Sequence, residues 1–231
     1  MNALLSRLCL SSYGAARALS NLTIAFLALC LAALPLKAET LTVVALGDSL
    51  TAGYGLAPEQ GYVPQLQAWL QAQGQDVQVE NAGVSGDTTA GGLSRLDWSL
   101  TPETDALIVN LGGNDMLRGI DPAEARSNLE KILSTAQSRN LPVLLVGLHA
   151  PNNYGPDYKA AFDAIFPTLA TQYGALLYPD YFAPLKATGN DNQALQTYMQ
   201  PDAIHPNAEG VARIVAAIGP SVLDLLQEAA K

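Results

Sequence analysis

"LTVVALGDSLTAGYG", Leu41–Gly55, changes character in its middle. Leu41–Leu46 is an apolar run, interrupted only by Thr42, with two adjacent valines, the pattern of a strand buried on both faces. Gly47, Asp48 and Ser49 follow at once, and all three residue types form turns. A strand that ends in such a turn and passes into a helix exposes the serine hydroxyl. It also aims several backbone N–H groups at one point. Strands buried on both faces belong to parallel sheets covered by helices, so this stretch predicts an α/β fold.

The rest of the chain repeats the alternation. Further strands are predicted at Val77–Glu80, Ala106–Leu111, Pro142–Leu148 and Ala175–Tyr178. Helices are predicted to start near Gly61, Thr88, Pro122 and Asp157, with a last one near Pro206. In the first, Val63, Leu66, Trp69 and Leu70 share a face and Gly74 ends the helix. Asp121-Pro122-Ala123-Glu124 supplies an N-cap, a proline at the first helical position and a capping-box glutamate. Ala125, Leu129, Ile132, Leu133 and Ala136 then make one apolar stripe. Pro167 and Pro220 blur the boundaries of the fourth and last helices. Residues 184–201 have no clear period and read as a loop with room for one short helix. No internal repeat or second domain is visible.

Residues 1–38 differ from the rest of the chain. Arg7 and Arg17 precede the 15-residue apolar run Leu22–Leu36, which is short for a membrane span of about 20 residues. It matches the core of a secretory signal, and "LKA" before Glu39 is a fair cleavage site. Residues 1–38 are therefore expected to be a removed signal peptide, with residues 39–231 as the single domain and a periplasmic or secreted location. The alternative, an uncleaved anchor, is disfavoured by the short run and by Pro35. Both cysteines, Cys9 and Cys30, lie in the leader, so the mature chain has no disulfide and no thiol nucleophile. Cys30 follows Leu29 rather than a small residue, which argues against lipid attachment.

All 21 acidic residues follow residue 38, whereas Arg7, Arg17 and Lys37 are three of the 12 basic ones. Nine basic residues against 21 acids leave the mature chain at −12. Such a charge repels phosphate backbones and anionic membrane surfaces, which excludes nucleic acid as a partner and argues against stable membrane insertion. A monomer is the expected state.

Open α/β sheets bind ligands beyond the carboxyl ends of their strands. There the chain carries "GDS" with Ser49, "NAGVSGD" with Gly86, "GGND" with Asn114, "HAPNNYG" with His149 and, across the long loop, "DAIHPN" with Asp202 and His205. Ser49 suits a nucleophile, which needs a base, and the base needs an orienting group. His205 can be that base, with Asp202 holding its Nδ1–H. The backbone N–H groups of Ser49 and Gly86 and the side-chain amide of Asn114 can serve an oxyanion. Each residue also has a bland reading. Ser49 and Gly86 are ordinary turn residues, Asn114 an ordinary cap, Asp202 a loop-stabilising carboxylate, and His205 a residue at a helix start. Their occurrence together, in order and each at a strand end, favours chemistry. His149 either lines the pocket or bonds a loop carbonyl, and no acid lies near it at a comparable spacing.

These blocks resemble those of the GDSL, or SGNH, hydrolases. "GDSLTAGYG", "NAGVSGDTTAGGLSRL", "LGGNDMLRG" and "DAIHPNAEG" are similar to the family's four blocks, and the likeness covers essentially the whole mature chain. It is nearest to the bacterial thioesterase I / arylesterase / lysophospholipase type. The resemblance implies a three-layer α/β/α, flavodoxin-like fold with a five-stranded parallel sheet ordered 2-1-3-4-5. It implies a serine esterase acting through an acyl-serine intermediate on aryl esters, fatty-acyl esters, lysophospholipids and acyl thioesters, without metal or organic cofactor. The residues agree, since two histidines and no mature cysteine do not build a typical zinc site, and "GNDNQ" lacks calcium-loop spacing. "HAPNNYG" is similar to a loop that bears on substrate choice, which brings in His149, Asn153 and Tyr154. Leu195, Tyr198 and Met199 can wall an acyl chain or belong to the core. A carbohydrate O-acetylesterase and a non-catalytic binding protein on the same scaffold are the alternatives. Because His205 must be neutral to accept a proton, activity is expected to rise between about pH 5 and 8.

Overall fold

The first apolar run forms β1 (Leu41–Gly47), whose residues from Val43 onward are buried. It pairs in parallel with β2 (Val77–Gly83) on one side and β3 (Ala106–Asn110) on the other. β4 (Val143–Val146) and β5 (Leu176–Tyr178) continue the sheet beyond β3 in the order β2-β1-β3-β4-β5. This is the expected parallel sheet. The computed structural model describes residues 40–186 and 196–231. The expected leader and Leu195 lie outside the described residues.

Burial follows position in the sheet. β3 is central and buried throughout, whereas the edge strand β2 alternates buried Val77 and Val79 with exposed Gln78 and Glu80. β2 extends three residues beyond the apolar run, because Asn81, Ala82 and Gly83 pair with Ala45, Leu46 and Gly47 of β1. Ladder pairing, not propensity, makes them strand. β4 is shorter than its apolar run at both ends. Pro142 has no N–H and only accepts, from Leu107. Gly147 leaves the ladder to bond the carbonyl of Tyr178.

The helices α1 (Ser49–Ala52), α2 (Tyr62–Ala72), α3 (Thr89–Ser94), α4 (Leu96–Ser99) and α5 (Gly113–Leu117) precede the long α6 (Pro122–Ser138). α7 (Pro156–Asp163), α8 (Ile165–Tyr173), α9 (Ala183–Lys186) and α10 (Ala208–Ala229) complete the described set. α2 and α10 pack together over one face of the sheet, and α6 packs with α3 and α8 over the other. Gly219 lets the first pair close, since a Cβ there would lie 2.6 Å from the Trp69 ring. Asp121 caps α6 by accepting from the Ala123 N–H at 2.9 Å, as its sequence predicts. The two awkward prolines resolve differently. Pro167 lacks the N–H that would bridge α7 and α8, and the chain breaks at Ala164. Pro220 sits inside an unbroken α10. It is exposed, and Ile214, Ile218, Val222 and Leu225 are buried on the opposite stripe, so packing offsets a cost of about 3 kcal/mol. Within the segment read as a loop, residues 184–186, the end of α9, and 196–198 are helical. Among the described residues, no helix is long and apolar enough to cross a membrane.

Candidate active site

Ser49 is the first residue of α1, directly beyond the end of β1. Two glycines allow so sharp a reversal. A Cβ on Gly47 would lie 2.0 Å from Thr51 Oγ1, and one on Gly83 would lie 2.3 Å from the Ala52 nitrogen. The turn therefore folds down onto the end of β2. Arg95 fixes it from below, donating to the carbonyls of Gly47 at 2.8 Å and Ala82 at 2.7 Å and pairing with Asp87 at 2.6 Å.

Asp202 and His205 share a turn held by an antiparallel bridge between Met199 and Pro206. The N–H of Gln200 donates to the His205 carbonyl at 2.7 Å, and Asp202 Oδ1 accepts from the N–H groups of Ile204 and His205, each at 3.0 Å. Ala203 adopts φ +56° between them, a conformation rare for alanine. Asp202 Oδ2 lies 2.6 Å from His205 Nδ1, and His205 Nε2 lies 2.8 Å from Ser49 Oγ. Partial burial pushes the Asp202 carboxyl up, but the backbone and ring hydrogen bonds of His205 and the Ile204 N–H outweigh it and hold the group at about 2. The Tyr54 ring packs on the imidazole with centroids 4.7 Å apart.

Asn114 is on α5 and donates through Nδ2 to Asp48 Oδ2 at 3.2 Å. Gly86 has φ +88°, and its carbonyl accepts from Arg118, which caps the C-terminus of α5, at 2.7 Å. The block bearing Gly86 is tied to the block bearing Asn114 a second time through buried Asp115. Asp115 accepts from the Thr89 N–H at 2.8 Å and the Thr89 hydroxyl at 2.6 Å. Among the described residues, the backbone N–H groups of Ser49 and Gly86 have no acceptor.

Beside Ser49 and Asn114 opens a cavity of about 250 Å³, walled by apolar side chains that include Leu117, Leu148, Phe182, Met199 and Ile204. Of the residues suggested for substrate binding, Met199 lines it. Tyr198 is buried under Arg213, whose guanidinium carbon lies 4.2 Å from the ring centroid. Tyr154 stands behind the wall, its hydroxyl donating to the Leu117 carbonyl at 3.1 Å, and Asn153 is on the same exposed turn. His149 has a different partner. Its Nδ1 lies 3.2 Å from Asp163, which also holds Lys159 at 2.7 Å. Asp163, fourteen residues later, is an acid that spacing does not reveal as the partner of His149. Burial raises the Asp163 carboxyl, yet Lys159, the Ala150 N–H and His149 together hold it below the usual range.

Sequence reasoning passes over Asp48, Tyr54 and most of the cavity wall. Asp48 is 2 % exposed, and burial pushes its carboxyl up to about 6 against the Leu50 N–H, the Asn114 amide and His205, which draw it down. Its position beside Ser49 at a helix start is the signal that was available.

The model of the GDSL-like lipase/acylhydrolase family matches residues 45–213. The chain is 41% identical over 201 residues to esterase TesA of Pseudomonas aeruginosa, covering 87% of this chain and 96% of that protein. It is 36% identical over 169 residues to thioesterase 1/protease 1/lysophospholipase L1 of Escherichia coli, covering 73% of this chain and 76% of that protein. The crystal structure of AlinE4, an SGNH-hydrolase family esterase, superposes with a TM-score of 0.64 at 43% identity, over 81% of this chain and 97% of that one. The chain is an ester hydrolase belonging to the GDSL-like lipase/acylhydrolase family.

Proposed function

We propose that the protein hydrolyses carboxylic esters and acyl thioesters through an acyl-serine intermediate, with fatty-acyl esters, aryl esters and lysophospholipids as its substrate classes. The observation that carries this reading is the line Asp202–His205–Ser49, at 2.6 and 2.8 Å, ending at the apolar cavity. Ser49 Oγ attacks the acyl carbon as His205 Nε2 takes its proton. Asp202, ionised, keeps the Nδ1–H directed at itself and stabilises the imidazolium. The oxyanion is received by the N–H groups of Ser49 and Gly86 and by the Asn114 amide. His205 then returns the proton to the leaving oxygen or sulfur, and water repeats the sequence to free the acid. The apolar wall suits an acyl chain better than a sugar acetate. Residues 1–38 act as an export signal in this reading, which places the mature enzyme in the periplasm or outside the cell.

The test is initial rates of mature protein on p-nitrophenyl esters from acetyl to palmitoyl, beside Ser49→Ala. A Ser49-dependent optimum at medium or long chains supports the reading. Equal rates for both proteins overturn it, and a sharp optimum at acetyl moves the substrate class to acetate esters.

A further inference from the structure

The geometry points to Asp48 as a positioning residue that fixes the Asn114 amide with its nitrogen, rather than its oxygen, turned to the reacting centre. The inference rests on the oxyanion role proposed for Asn114.

The two edges of a carboxamide have nearly the same shape but opposite hydrogen-bonding character, and a half-turn about χ2 exchanges them. An asparagine serves an oxyanion only while something selects the N–H edge. An ionised carboxylate accepts and cannot donate, so a carboxylate against the amide admits the nitrogen alone. Asp48 meets that need with both oxygens committed. Oδ1 accepts from the Leu50 N–H at 3.0 Å, which locks the side chain as the cap of α1, and Oδ2 accepts from Asn114 Nδ2 at 3.2 Å. One hydrogen of Nδ2 is thereby occupied. The second remains for the cavity that Asn114 lines together with Ser49.

The neighbourhood is shaped for this contact. A Cβ at position 113 would lie 3.1 Å from Asp48 Oδ2, so glycine there leaves the carboxylate room beside α5. At 2 % exposure Asp48 has almost no water to compete for its oxygens. A charge so buried is costly, and among the described residues no lysine or arginine pairs with it. A neutral cap such as serine would serve the helix equally well. The carboxylate therefore does something that capping does not require.

The ionisation of Asp48 is set by the groups that face it. Burial raises the group to about 6; the Leu50 N–H, the Asn114 amide and His205 pull it down, and Asp115 on α5 pushes it up. The Tyr181 phenol approaches from beyond β5. As the medium falls through pH 6, Asp48 takes up a proton, ceases to be acceptor-only and no longer selects the amide edge. The acid limb of the rate profile then contains the ionisation of Asp48.

The test is a double-mutant cycle on p-nitrophenyl butyrate with Asp48→Asn, Asn114→Ala and the double variant, comparing kcat, KM and pH profile. The Asp48→Asn side chain still accepts the Leu50 N–H but presents an amide to Asn114. The expected result for Asp48→Asn is a kcat loss of about tenfold or more with KM within about threefold, and an acid limb that no longer contains the Asp48 ionisation. In the Asn114→Ala background the same substitution is expected to have almost no further effect. Equal losses in both backgrounds mean that Asp48 acts only on folding, and overturn the inference. So does unchanged kcat in Asp48→Asn when Asn114→Ala is slow. A fast Asn114→Ala enzyme overturns the oxyanion reading itself. If Asp48→Asn fails to fold, Asp48→Ser keeps the cap, and the same cycle decides with it.

Discussion

Asp202 reaches His205 twice within one turn: its Oδ1 accepts the His205 backbone N–H at 3.0 Å, and its Oδ2 faces the ring Nδ1 at 2.6 Å. One carboxylate thus sets both the backbone position and the tautomer of the histidine that touches Ser49. Replacing it by asparagine keeps the shape but not the charge that favours the imidazolium. Asp202→Asn is expected to lower kcat by about 10²- to 10⁴-fold, measured on p-nitrophenyl butyrate with folding checked by circular dichroism.

The same carboxylate makes a pH-dependent contribution to stability. Its pKa is held at about 2, below that of the unfolded chain. The native state therefore favours the ionised form, and the contribution is complete above the unfolded value of about 3.9 and fades as pH falls toward 2. Urea midpoints of the unaltered protein and Asp202→Asn should differ by a constant amount from pH 7 to 5. The gap should close only below about pH 4. A gap that closes near pH 6 would assign the effect to another group.

His149 and His205 should separate cleanly on substitution. His205→Ala removes the proposed base and is expected to abolish turnover. His149 is bound to Asp163, which keeps Lys159 and the Ala150 N–H as partners when the ring is gone. His149→Ala should leave kcat within about twofold and cost at most about 1 kcal/mol, as for an exposed ion pair. Steady-state rates and a urea titration check both statements.

Buried Asp115 ties α5 to the start of α3 through Thr89, and Asn128 of α6 donates to the same Thr89 hydroxyl at 3.1 Å. Asp115→Ala strands a backbone N–H and a hydroxyl in the interior. The expected cost is about 2–4 kcal/mol by urea unfolding. A loss under 1 kcal/mol would mean that this network is not what joins the two blocks.

The cavity sets a prediction on chain length. Each methylene that enters it contributes up to about 0.8 kcal/mol, or about fourfold in kcat/KM. Rates should climb by about this step from acetyl upward and level off when the wall is filled. Leu117→Trp at its exposed edge should flatten the climb while leaving the acetyl ester unaffected. A parallel fall at all lengths would place Leu117 in a structural role instead.

The five strands, the cap at Asp121 and the stop near Gly74 were legible because each depends on local pattern: apolar runs, a capping side chain, a glycine with φ +80°. The candidate site was legible in part for a related reason. Short turns at strand ends confine what they can hold, so Ser49, Gly86, Asn114, Asp202 and His205 stand out although 156 residues separate Ser49 from His205. The features that were not legible depend on neighbours distant in the chain. Asn81–Gly83 are strand only because β1 lies alongside, and α10 continues through Pro220 because its other face is buried. His149 finds its acid on α7, a choice no spacing fixes. Asp48 reads in sequence as a turn residue. Only the assembled fold buries it, sets the Asn114 amide of α5 against it and changes its ionisation, because desolvation and hydrogen bonding are properties of the assembled interior.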